Sequence, residues 1–140
     1  MVEARVTHID GLRFEATAGS GHLVVMDGDA AFGGRNSGVR PMELLLVGLG
    51  GCTGMDVISV LKKKRQDVTG LVISVKGEKA EHHPKKFTNI KIEFLVRGRN
   101  VSEEAVRRAI ELSMDKYCSV KATLEGTARV DFDYRIEEEG

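Results

Sequence analysis

The chain has 140 residues, with 21 Lys and Arg against 21 Asp and Glu and two cysteines, Cys52 and Cys118. Balanced charge leaves no net field to draw it to nucleic acid or to an anionic membrane, so neither partner is expected. The length fits one domain, residues 1–140, that buries about 70% of the surface its unfolded chain exposes and needs no staples; two cysteines alone cannot complete a four-ligand zinc site.

Glu3 and Arg5 stand where a secretory leader would need an apolar run, which predicts a cytoplasmic protein with reduced thiols. Val2, Ala4 and Val6 alternate with polar residues, as do Leu12, Phe14 and Ala16, across the turn signal Ile9-Asp10-Gly11. This predicts a hairpin, and His22 to Met26 predicts a third strand. Residues 28–40, GDAAFGGRNSGVR, have no period and read as a loop that carries Arg35 and Arg40.

The next stretch, Pro41 to Lys64, reads PMELLLVGLGGCTGMDVISVLKKK and holds Cys52 near its middle. Pro41 suits a first helical turn, Glu43 complements the positive end of the dipole, and Lys62 to Arg65 complement the other end. A helix is expected from about 41 to 65. Its uncharged run, Leu44 to Met55, is shorter than the roughly 20 residues of a membrane span and is ended by Asp56. A helix apolar on nearly every side must be enclosed by protein, here by its own sheet and by a second subunit. Gly48, Gly50, Gly51 and Gly54 would admit another backbone closely, and a homodimer supplies the second helix most economically.

Leu71, Ile73 and Val75, then Ile90, Ile92, Phe94 and Val96, predict a second hairpin. Its connector holds His82-His83-Pro84; adjacent side chains on an extended chain project apart, so these read as solvated turn histidines rather than metal ligands. A start signal at Asn100 to Glu103 leads into Val106, Ala109, Ile110, Ser113, Met114 and Tyr117, the inner face of a half-buried helix. Ala128, Val130, Phe132, Tyr134 and Ile136 alternate as a last strand. Strands and helices do not strictly alternate, which predicts an α+β fold with mostly antiparallel sheets.

The two thiols admit two readings. Cys52 among apolar residues is a small core side chain that burial would make inert, or a nucleophile. Cys118 precedes Ser119-Val120-Lys121, the start of a further helical turn, which would lower its pKa. Spacing alone does not bring the two together.

Pro41-Met42-Glu43-Leu44-Leu45, Gly51-Cys52 and Tyr117-Cys118-Ser119-Val120 resemble the OsmC/Ohr family of osmotically induced and organic-hydroperoxide-resistance proteins, within it the YhfA-like branch. The resemblance runs over nearly the whole chain. It implies an OsmC-like fold and an intertwined homodimer with the active site at the subunit interface. It also implies a peroxidase for organic hydroperoxides, with Cys52 forming a sulfenic acid, Cys118 resolving it as a disulfide, a dithiol or lipoylated-protein reductant, and no metal, haem or flavin cofactor.

Three positions depart from the family pattern. Met42 follows the proline where an acid is usual, with Glu43 one place later; Cys118-Ser119 replaces Cys-Pro; and Arg35 or Arg13 could be the assisting arginine, of which Arg35 is preferred. Glu43 would fix that arginine, and Leu45, Leu49, Met55 and Phe32 would line the site. Nine helical positions place Glu43 on the face opposite Cys52 and about 13–14 Å along the axis, so Glu43 is expected from the other subunit. The competing reading is a non-catalytic dimer of the same scaffold that binds a small apolar ligand.

Overall fold

The alternation at the front of the chain becomes an antiparallel sheet of β1 (Ala4–Asp10), β2 (Arg13–Ala18) and β3 (Leu23–Met26), in that order, in a computed structural model that describes all 140 residues. β1 runs on through Ile9 and Asp10, and Gly11 with φ of 50° makes the tight turn. This sheet belongs to the first of two compact units, Met1–Leu45 and Leu46–Gly140.

The loop after β3 has no sequence period because it is built around one side chain. Asp27 is buried, and its carboxylate accepts from the backbone N–H groups of Gly28 at 2.7 Å, Ser37 at 3.1 Å and Arg35 at 3.2 Å. Ser37 Oγ donates to it as well, at 2.5 Å. The Ser37 hydroxyl is the largest influence holding this carboxyl well below the usual carboxylate range; burial opposes it, and the three backbone N–H groups reinforce it. A buried anion with four donors thus orders residues that composition marks as a connector.

Helix α1 (Pro41–Lys63) ends two residues short of the expected boundary. It meets the length and composition of a membrane span, with a mean hydropathy of 1.9. Its placement is that of a core helix, however, since Leu49, Thr53, Val57 and Leu61, each four residues on from the last, are wholly enclosed by the second unit. The glycines divide by face. A Cβ at Gly54 would lie 2.9 Å from Ile73 Cδ1 and one at Gly50 3.2 Å from Val75 Cγ2, so these two seat α1 on its own sheet. Gly48 and Gly51 face open space, as do Val47 and Met55, which are 63% and 76% exposed.

The sheet of the second unit is β4 (Asp67–Lys79), β5 (Phe87–Arg99) and β6 (Arg129–Glu138), with β5 in the middle. Phe87, Ile90, Ile92, Phe94 and Val96 of β5 point into the core, where Val106, Ala109 and Ile110 of α2 (Glu103–Leu112) are also buried. The other sheet face carries exposed ion pairs such as Lys76–Glu93 and Lys91–Asp133, which contribute little to stability. β4 and β5 pair antiparallel, as do the first-unit strands, whereas β6 lies parallel to β5. A parallel pair needs a long crossover, and α2, a wide turn at Ser113–Tyr117 and α3 (Ser119–Leu124) provide it. The helix expected to reach Tyr117 therefore changes character at Ser113, and that change delivers Cys118.

Leu49→Ala is expected to cost about 2–5 kcal/mol in urea unfolding, because its buried volume cannot be refilled from a packed stripe. Asp27→Asn is expected to speed hydrogen exchange at the Arg35 and Ser37 amides relative to those of β2, because the acceptor loses its charge.

Candidate functional site

Cys52 and Asp56 lie four residues apart on α1, one turn from each other on the same helix face. Cys118 approaches them from within the crossover, between the wide turn and α3. Its N–H donates to Ser113 O at 2.8 Å, five residues back, the bond of a wide π-type turn. The Ser113 hydroxyl, wholly buried, donates to Asp56 Oδ2 at 2.9 Å. With that proton committed, Thr53 Oγ1 donates in turn to Ser113 Oγ at 2.7 Å. Ser113 thus fixes the carboxylate on α1 with its side chain and Cys118 with its carbonyl.

The outcome is that the Cys52 and Cys118 sulfurs and an Asp56 oxygen all lie within 4.8 Å of one another. Both thiols are free. Two cysteines separated by most of the second unit's sequence therefore meet, as sequence spacing could not show. A disulfide between them has an S–S bond of about 2.0 Å, so oxidation must draw the sulfurs closer together.

The thiols differ in setting. Cys52 is half-buried, whereas Cys118 is 4% exposed and caps α3, its sulfur accepting the Lys121 N–H at 3.4 Å. That N–H contact favours the thiolate, as expected from sequence, but burial outweighs it. With Cys52 and Asp56 adding to burial, the Cys118 thiol is pushed up to about 11. Cys118 is consequently a protonated thiol at neutral pH, and the expectation of a pKa lowered by the helical turn is corrected.

The exposed His82 and His83 are not part of the cluster of Cys52, Asp56 and Cys118.

The remaining candidates have partners in the first unit. Arg35 pairs with Asp10 at 3.3 Å, and Arg13 with Glu15 at 3.1 Å. Glu43 Oε1 accepts the Arg40 N–H at 2.8 Å and so caps the start of α1. Leu49, expected to line the site, is wholly buried in the core. Asp56, Ser113 and Thr53 had no functional reading in the sequence, where Asp56 served only to end an apolar run. The available signal was the Cys52/Asp56 spacing: an acid one turn from a thiol, in a helix stretch otherwise uncharged between Glu43 and Lys62, shares its face.

An α+β fold that brings two distant thiols together beside an anchored carboxylate defines a paired-thiol protein. More particularly, the chain belongs to the family of OsmC-like proteins, which it matches over residues 34–133. It is 38% identical over 135 residues to Protein YhfA of Escherichia coli strain K12, covering 96% of this chain and 98% of that one. A crystal structure of a hypothetical protein from Aquifex aeolicus VF5 is similar at 33% identity and a TM-score of 0.88, covering 100% and 98% of the two chains. An organic hydroperoxide resistance protein from Elizabethkingia anophelis, at 16% identity, a TM-score of 0.71 and coverage of 98% and 96%, shares the fold. The family resemblance and the α+β fold expected from sequence are both confirmed.

The pH dependence of stability follows from Cys118. Its thiol is higher in the folded chain, about 11 against an ordinary 9.0, so between these values the unfolded chain has lost a proton that the folded one retains. This group's contribution is fully present below pH 9.0 and is lost as pH rises towards about 11. Urea unfolding of wild type and Cys118→Ser across that range is expected to show a steeper alkaline decline in wild type.

Proposed function

We propose that the protein is a thiol-dependent peroxidase that reduces organic hydroperoxides. The observation that carries this reading is the meeting within 4.8 Å of two sulfurs that lie far apart in the sequence of the second unit. Cys52, the more accessible thiol, attacks the terminal peroxide oxygen as thiolate; the O–O bond breaks, the alcohol leaves with a proton, and Cys52 becomes a sulfenic acid. Cys118 then attacks the Cys52 sulfur, the S–O bond breaks, and water leaves as the disulfide forms. An external dithiol, free or carried on a lipoylated protein, returns the two electrons.

An organic rather than an inorganic peroxide suits the apolar surface on the turns of α1 that carry Cys52, although Cys52 does not itself line it. Gly50, Gly51, Met55, Ile58, Leu71 and Ile73 line an apolar groove of about 510 Å³ along α1 and β4. The site also calls for a cation. Asp56 has no ion-pair partner within the chain, and this lone carboxylate opposes ionisation of the Cys118 thiol. In this reading a homodimer covers the open face of α1 and the second protomer brings Arg35 to Cys52, where Glu43 would take over from Asp10 as its partner. The proposed reaction suits the cytoplasm, where dithiol reductants are available.

The same groove supports the competing reading, a dimer that binds a small apolar ligand without chemistry. The two separate on treatment of the reduced protein with an equimolar organic hydroperoxide. The peroxidase loses both titratable thiols and releases the corresponding alcohol; the binding protein keeps both. Cys52→Ser is expected to abolish peroxide consumption, and Cys118→Ser to allow one turnover that stops at the sulfenic acid, trapped by a dimedone-type reagent. Peroxide consumption unchanged in Cys52→Ser would overturn the assignment.

A further inference from the structure

Disulfide formation by Cys118 requires it to shed a proton that its surroundings retain. Burial and the neighbouring groups keep the thiol protonated at neutral pH, and only a thiolate, or a thiol losing its proton as it attacks, is a competent nucleophile. One group is placed to take that proton. The Asp56 carboxylate lies within 4.8 Å of both sulfurs, and Ser113 holds one of its oxygens, Oδ2, at 2.9 Å. Oδ1 makes no hydrogen bond within the chain and, since no buried side-chain oxygen is left without a partner, it reaches solvent. The surrounding charges are few. Cys52 and Asp56 come from α1, Ser113 at the end of α2 is neutral, and Lys121 within α3 pairs with Glu125 at its C-terminal cap at 2.8 Å.

From this geometry we infer that Asp56 is the general base of the resolving step, taking the Cys118 proton as that sulfur attacks Cys52. The inference rests on the two-thiol reading above. In the peroxide cycle, the Cys118 S–H bond breaks and its proton passes to Asp56. The new S–S bond displaces the hydroxyl of the Cys52 sulfenic acid, and the proton moves from Asp56 to that hydroxyl, which leaves as water. The carboxylate ends as it began. Ser113 is a positioning residue in this scheme, since it acts by aiming the carboxylate.

Electrostatics alone predicts the opposite sign. A carboxylate beside Cys118 raises its pKa, so its removal would ease ionisation and speed the attack. General-base catalysis predicts that removal slows the attack, typically by about 100-fold or more.

The test needs no peroxide. Reduced protein reacts with 5,5′-dithiobis(2-nitrobenzoate), which caps Cys52 as a mixed disulfide and releases a first thionitrobenzoate; attack by Cys118 on that disulfide expels a second one as thiolate. In wild type the second release is expected to be nearly level with pH around neutrality. In Asp56→Asn it is expected to fall about 100-fold at neutral pH, and to rise about tenfold per pH unit towards the Cys118 pKa, while the first release persists. Ser113→Ala is expected to fall between the two. A second release in Asp56→Asn as fast as wild type or faster would overturn the inference, as would slowing by the same factor at every pH, which marks a structural defect. Failure of the peroxidase reading would show separately, as thiols that survive organic hydroperoxide while the disulfide-exchange result stands.

Discussion

The second unit's chemistry depends on one buried hydroxyl. Ser113 donates to Asp56 and accepts from Thr53 across the boundary between α1 and the crossover, and its carbonyl receives the N–H of Cys118. No buried side-chain nitrogen or oxygen at this junction lacks a partner, and the junction is wholly enclosed at Thr53 and Ser113. Leaving such a buried group without its partner costs about 1–3 kcal/mol, so the network specifies one arrangement of helix against turn rather than a sliding contact. The wide turn at Ser113–Tyr117 is part of the same device: a regular helix would carry Cys118 past Asp56 without the backbone bond to Ser113.

Burial then assigns different properties to two chemically identical thiols. Cys118 is enclosed and held protonated, whereas Cys52 is half-open on the helix face it shares with Asp56. In the proposed reaction this asymmetry selects attacker and resolver without a dedicated motif. The negative character of the site, with Asp56 unpaired within the chain, leaves a place for a cation that the second protomer of the proposed dimer would fill. The division of the glycines agrees with that arrangement. Gly50 and Gly54 are consumed by contact with β4, while Gly48 and Gly51 leave α1 flat on its open side.

Much of the fold was legible from period alone. Alternation located the strands, and the placement of Pro41, Glu43 and the terminal lysines bounded α1 to within two residues. The parallel pairing of β6 was not legible, because alternation reports burial of one face and not strand direction. Cys52 and Cys118 were visible as candidates, but their meeting is a tertiary fact created by Ser113. Asp56 was hidden for a different reason: a single acid in an apolar run reads as a stop signal until its side chain is seen on the thiol's face. Asp27 was hidden likewise, since four local donors converge on it only when the loop has folded. For Cys118 the helix-start argument was sound in direction and too small against desolvation.

The most direct test of the account is peptide mapping by mass spectrometry after the reduced protein has met one equivalent of an organic hydroperoxide. The predicted product is a cross-linked pair of peptides, one containing Cys52 and the other Cys118, with the mass lowered by two hydrogens. Two unmodified cysteine peptides, or Cys52 driven to sulfinic acid beside a free Cys118, would contradict it.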